Sequence, residues 1–346
     1  MMDVVRRSEL IFLYDVKDAN PNGDPDENKP RLDVETEINI VTDVRLKRTI
    51  RDYLAKFKGK DIWLKEEIEE DGSRKTREKK LEEAGIKNKA NAVNLLEKYI
   101  DLRLFGATIA GKQPKERKGE EEEIEEVGKT KRKGEKVFTW IGPVQFRFGH
   151  SLHKVEPVFI KGTSVLPTQE MKAGGSFTES WIVPYSLICF YGLINENAAK
   201  DTKLTEEDIN ELLDGMWNGT KNLITRSKIG QVPRLLLRVI YNEKNYHIGD
   251  LDKEIKLLDI NGKEIDKDGR NGKTLRSIDE VKVELSDLVT ILKEKSDRIK
   301  EVQIEANDKV LFKVDDREYR GKKALIEGLK SIVELKDKIK ELNLDK

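Results

Sequence analysis

The sequence predicts an α+β protein with a βαββαβ core, and three observations lead there. Apolar runs of strand length fall at residues 9–16, 137–149, 181–194 and 233–241. Two stretches, 41–57 and 205–226, repeat apolar residues at helical spacing. Strands and helices alternate in the order strand, helix, two strands, helix, strand, which fits a ferredoxin-like core carrying insertions.

The first strand centres on Leu10-Ile11-Phe12-Leu13-Tyr14 and runs into the turn Asp18-Ala19-Asn20-Pro21-Asn22-Gly23-Asp24-Pro25. Asp18, Asn20, Asn22 and Gly23 have the spacing of an EF-hand calcium loop, but its twelfth position is Lys29, a cation where the bidentate Glu belongs. Pro21 and the preceding strand also disagree with that motif, so the residues read as turn formers. The first helix follows, with Leu46, Ile50, Tyr53, Leu54 and Phe57 on one face. Residues 58–89 are dense in charge and predict a small helical insertion. Val93, Leu96, Ile100 and Leu104 predict an amphipathic helix over 90–105. Residues 111–136 are nearly free of apolar side chains, with an acidic block at 120–126 and a basic one at 129–133, and predict a partly disordered, mobile loop.

Between the second and third strands, two β-prone arms around Gly174-Gly175 predict a protruding hairpin within about 155–181. Thr205 and Asp208 form a near capping box at the start of the second long helix. The expected division is a core of residues 1–57 and 137–242, an insertion at 58–136, and an α/β extension at 243–346 whose last helix covers 321–342.

The 346 residues carry 66 basic and 66 acidic side chains, so no global charge advertises a polyanion partner. The 38% charged content, rich in Lys and Glu, is the usage of heat-adapted proteins. Cys189 is the sole cysteine, which excludes a disulfide framework and points to a reducing cytoplasm. The first residues lack the apolar core of a signal peptide, and the run 181–194 is interrupted by Pro184 and too short for a bilayer. A soluble protein without a membrane partner is expected.

The strongest chemical signal is the stretch from Gly215 to Asn242, which has no acidic residue but carries Lys221, Arg226, Lys228, Arg234 and Arg238. Within it, Arg226, Ser227, Lys228 and Gln231 offer guanidinium, hydroxyl, ammonium and amide donors suited to a phosphodiester path. On the first helix Arg45, Arg48 and Asp52 share a face away from the apolar one. His150 and His153 lack the Glu of a helical zinc motif, and His247 stands alone. Asp15, Asp18, Asp24 and Asp26 could gather around a divalent ion, although Asp in such turns is usually a cap or turn former.

The runs 14–25 and 41–51, with Leu104-Phe105-Gly106-Ala107, Gly142-Pro143-Val144-Gln145-Phe146 and Thr225-Arg226-Ser227-Lys228-Ile229-Gly230-Gln231, resemble the CRISPR-associated backbone subunit of the type I Cascade complex. This is the "Cas seven" family of the RAMP superfamily, and the likeness is closest to its subtype I-B branch. It spans most of residues 7–242 and guides the strand ordering above, implying an RRM-like fold. It also implies a non-catalytic subunit without a cofactor, whose partners are guide RNA (crRNA), target DNA, other copies of itself head to tail, and other Cascade subunits. By resemblance Asn22, Arg45 and Arg48 hold the RNA backbone together with Lys221, Arg226, Ser227, Lys228 and Gln231. Leu166 or Met171 supplies the wedge of a "thumb" hairpin, unless both are tucked inside it. Related type III subunits cleave RNA through a loop Asp, so the rival reading is a metal-dependent ribonuclease using Asp residues of the 15–26 turn.

Overall fold

The computed structural model describes residues 5–86, 89–112, 135–163 and 177–344. In chain order, β1 (Ser8–Ala19) leads through the turn to β2 (Ile38–Val41) and α1 (Asp43–Lys58). The insertion holds α2 (Arg77–Glu83), α3 (Lys89–Lys98) and α4 (Ile100–Phe105). There follow β3 (Gly106–Lys112), β4 (Glu135–Ile141), β5 (Val144–Phe146), β6 (Gly149–Lys154), β7 (Val158–Thr163) and the long β8 (Phe177–Ile194). Then come α5 (Glu196–Thr202), α6 (Glu206–Lys221) and β9 (Val232–Tyr241). The remainder forms β10 (Lys256–Asp259), β11 (Val281–Glu284), α7 (Ser286–Glu294), β12 (Ile299–Ala306), β13 (Leu311–Val314), β14 (Arg317–Arg320), α8 (Gly321–Lys330) and β15 (Ile339–Glu341).

Among the described residues nine strands form one mixed sheet, with the path β15-β12-β9-β1-β8-β6-β2 and with β5 and β7 pairing onto β8. β1 lies at its centre, antiparallel to β8 (Leu13 opposite Cys189) and to β9 (Leu13 opposite Leu235). Side chains alternate across it. Leu10, Phe12, Tyr14 and Val16 enter the core under α1 and α6, whereas Ile11 and Leu13 enter a second core under the C-terminal elements. This two-sided burial explains why β1 reads as an unbroken apolar run. The C-terminal residues do two things: β12 and β15 widen the main sheet, and a four-stranded sheet, β10-β11-β13-β14, covers its second face with α7 and α8.

Local chemistry sets the helices. Thr42 caps α1 by accepting from the Arg45 amide at 3.3 Å. Thr205 and Asp208 complete the capping box of α6 with bonds of 3.1 Å each way. α1 and α6 pack closely because α6 presents glycine at the contact: a Cβ at Gly215 would meet Ile50 at 2.9 Å, and one at Gly219 would meet Tyr53 at 3.0 Å.

Several expectations are corrected. The single strand expected over 137–149 is three pieces: β4 pairs with β3 in a separate ribbon, β5 pairs with β8, and β6 joins β8 and β2. The chain turns at Gly142, where a Cβ would sit 2.1 Å from the Phe105 backbone. The helix expected over 90–105 breaks at Tyr99, whose backbone is extended, and Asp101 in the following piece accepts from the Trp63 and Leu64 amides. The helix expected over 321–342 stops at Lys330, because β15 is drawn into parallel pairing with β12. Most of the expected 111–136 loop lies outside the described residues. No described helix is long and apolar enough to cross a membrane.

His153 is a core residue rather than a metal ligand. Its Nε2 accepts from the Leu187 amide at 3.2 Å, its Nδ1 lies 2.9 Å from the Lys154 carbonyl, and its ring stacks on Tyr185. Those partners fix a neutral Nδ1–H tautomer, and burial holds its pKa below the usual 6.5. The unfolded chain therefore takes up a proton below pH 6.5 before the native state can. Thermal stability is expected to fall between pH 7 and about pH 5, and less so in His153→Gln, where an amide oxygen can still accept from Leu187.

Candidate nucleic-acid interface

The turn after β1, the start of α1 and the loop after α6 converge at one end of the sheet. The turn is held by its own side chains. Asp24 Oδ1 accepts from the Glu27 and Lys29 amides at 2.9 and 3.3 Å, and Gly23 lies so close to Asn28 that a Cβ would overlap its Oδ1 at 1.9 Å. Asn22 ties turn to helix: its Oδ1 accepts from both the amide and hydroxyl of Thr42 at 2.9 Å. Asn20 ties turn to loop, its amide donating to Ser227 O and its carbonyl accepting from Lys228 Nζ, both at 2.8 Å.

A cleft of about 310 Å³ opens between α1 and the loop, lined among others by Arg45, Arg48, Asp52, Lys56, Phe57, Thr225 and Lys228. Four of these are cations and one is an acid. Arg48 Nε is engaged by Asp52 at 2.9 Å to both oxygens. Arg45 has no such partner: Nη2 donates to Thr49 Oγ1 at 2.9 Å, and its buried Nε finds no acceptor. Burial lowers the Arg45 pKa. Lys228 sits beside it, and burial followed by the Arg45 charge brings its pKa down to about 8. Two cations held together against their own repulsion form a site complementary to an anion.

Among the described residues, buried side-chain atoms without a hydrogen-bond partner occur near this end of the sheet at Asn20, Arg31, Arg45, Gln231 and Arg234, and elsewhere at Glu69, Glu211 and Gln303, so they do not single out a surface. Gln231 is only 6% exposed.

Of the expected site residues, Arg45, Arg48 and Lys228 meet in the cleft, and Gln231 lies buried just before β9. Ser227, next to Lys228 in the loop, is outside the cleft lining. Arg226 is exposed on that loop, and Lys221 is exposed at the end of α6, outside the cleft lining. Asn22 spends its acceptor on the helix cap, so it acts as a brace. Leu166 and Met171 lie outside the described residues; β7 and β8, which flank that stretch in sequence, pair antiparallel, with Phe159 opposite Trp181. Arg234 and Arg238, conspicuous in the acid-free run, are core ion pairs. Arg234 bonds Asp15 at 2.8 Å, and the fully buried Arg238 bonds Glu206. Asp15 is thereby taken up by Arg234 and the Tyr185 hydroxyl, and burial raises its pKa. Lys56 and Arg31 were missed, although Lys56 continues the Arg45, Arg48, Asp52 spacing along the helix.

The sequence profile described as CRISPR-associated protein Cas7 matches residues 6–286. A CRISPR-associated protein Cas7 of Haloferax volcanii is 33% identical over 334 residues, covering 92% of each chain. The chain belongs to the Cas7 family. Two solved structures resemble this Cas7 protein at 12% identity. One is titled CRISPR RNA-guided surveillance complex (TM-score 0.47, covering 87% of this chain and 88% of that one). The other is the same kind of complex in a pre-nicking state (TM-score 0.48, 86% and 92%).

Proposed function

We propose that this Cas7 protein is a guide-RNA-binding backbone subunit of a Cascade complex of the I-B subtype, acting in antiviral defence without catalysis of its own. Copies assemble head to tail along one crRNA, beside other Cascade subunits, and leave its bases free to pair with target DNA. The observation that carries this reading is that Arg45 and Lys228 line one cleft and neither forms an ion pair with a carboxylate among the described residues. An RNA phosphate would supply the missing negative charge. The neutral total charge suits a filament, since net-positive copies would repel one another. Sheet order supports a ferredoxin-like, RRM-like palm: β9, β1, β8 and β6 stand as fourth, first, third and second strands, all antiparallel. Residues 58–136 are then an insertion on that palm and β7–β8 the thumb. Against the ribonuclease alternative, Asp15 and Asp24 are already engaged, by Arg234 and by the turn's own amides.

The pKa of Lys228 gives a direct test. A bound phosphate raises that pKa, so binding above pH 8 requires proton uptake. RNA affinity is expected to be flat below about pH 7.5 and to fall by up to about tenfold between pH 8 and 9. Lys228→Arg should flatten this profile. For the free protein the sign is opposite: the charged lysine destabilises the fold below pH 8, and that cost is relieved as pH rises from about 8 to 10.5. An affinity profile that stays flat in the wild type across pH 8–9, measured by anisotropy of labelled single-stranded RNA, would remove Lys228 from the interface.

A further inference from the structure

Lys228 combines two properties that lysines rarely share. Its Nζ donates to one backbone carbonyl, Asn20 O at 2.8 Å, and forms no ion pair among the described residues. It lines a cleft of about 310 Å³ that has room for a small molecule. The charged groups facing that cleft are Arg45, Arg48, Asp52 and Lys56, of which Asp52 is taken up by Arg48.

We propose that Lys228 is an acylation site for small acyl phosphates, with Arg45 docking the phosphate and Nζ receiving the acyl group. The Arg45 side chain lines the same cleft, and its guanidinium suits a phosphate oxygen. In the reaction the Nζ lone pair attacks the carbonyl carbon. A C–N bond forms, the C–O bond to phosphate breaks, and inorganic phosphate leaves with the electron pair. The amine proton passes to phosphate or water, and nothing is oxidised or reduced.

Burial and Arg45 support the chemistry, because they leave about half of Lys228 as the neutral, nucleophilic amine near pH 8. An ordinary lysine is neutral there at well below one per cent, roughly a hundredfold less. A less basic amine is also a weaker nucleophile, and by the trade-off known for thiolates the net gain is about tenfold. Acylation turns a cation into a neutral amide. If the cleft holds RNA, as proposed above, the modification weakens that hold and gives the subunit a metabolic off-switch.

The test uses the wild-type chain with acetyl phosphate at pH 8, reading site occupancy against time by mass spectrometry. Lys228 should be acetylated about tenfold faster than the exposed Lys200, and added inorganic phosphate should slow Lys228 selectively. Acetylation with an N-hydroxysuccinimide ester should not show that phosphate competition. A Lys228 rate equal to or below that of Lys200 overturns the proposal, as does phosphate competition that is the same at both lysines. A parallel sample preloaded with single-stranded RNA separates the two readings. Fast acetylation that RNA fails to block would leave the acylation site standing and remove RNA from the cleft.

Discussion

Reversing the charge at Lys228 is expected to lower RNA affinity by on the order of a hundredfold per subunit. Lys228→Glu would replace a cleft-lining cation with an anion beside Arg45 in a half-buried cleft, where screening is weak. The fold should survive, because the new carboxylate can pair with Arg45, which has no acid partner in the wild type. The loss is therefore a binding effect, to be checked by an unchanged melting temperature. Lys228→Met should show a smaller loss of about tenfold and reduce the salt dependence of log K by about one counterion. Arg45→Glu should match Lys228→Glu, whereas Lys200→Glu, outside the cleft, should have little effect. Affinity and salt slope unchanged in both Lys228 variants would place the RNA elsewhere.

The second large effect concerns stability. Glu9 is a fully buried carboxylate at the start of β1, and it accepts from the hydroxyls of Tyr191 and Tyr241 and from the amides of Ile248 and Gly249. Burial, and then the adjacent Glu9, push both phenols well above their usual pKa, so both remain donors at all working pH values. Three of those bonds tie the strand to the end of β9 and the segment that leads from it into the C-terminal layer, and the fourth ties it to β8. Glu9→Ala leaves two buried hydroxyls and two half-buried amides without this acceptor and should cost about 4 kcal/mol. Tyr241→Phe, which removes a single donor, should cost about 1 kcal/mol. Urea unfolding decides it: a Glu9→Ala midpoint within error of the wild type would mean that the network contributes nothing.

The elements that were legible in the sequence are those whose signals are local. β1, α1, β8, α6 and β9 follow from apolar periodicity, and Thr205 with Asp208 marks the start of α6 because the capping box is a four-residue device. What failed was set by distant contacts. The 90–105 helix breaks at Tyr99 just ahead of Asp101, a carboxylate that serves amides from a segment nearly forty positions earlier. β15 replaces the end of a helix because β12 offers an unpaired edge. The unbroken Leu10–Tyr14 run itself signals the second core, because such a run implies burial on both faces.

The candidate site shows the same division. Arg45 and Arg48 were placed on one face by helical spacing, and Lys228 by its position in an acid-free loop. Arg234 and Arg238 looked equivalent in the linear charge pattern, but their acids, Asp15 and Glu206, come from other parts of the chain. A charge run reveals where cations are concentrated; only the fold reveals which of them lack a partner. The brace role of Asn22 was equally hidden, since Thr42 is twenty residues away.

The central claim is that copies of this chain line up along RNA without cutting it. Light scattering on nuclease-free protein, with single-stranded RNAs of increasing length and in magnesium or chelator, tests it most directly, with the RNA run on a gel afterwards. Mass that grows stepwise with RNA length, identically in both buffers and with the RNA intact, is the predicted result. A one-to-one complex at every length, or RNA cut only in magnesium, would contradict it.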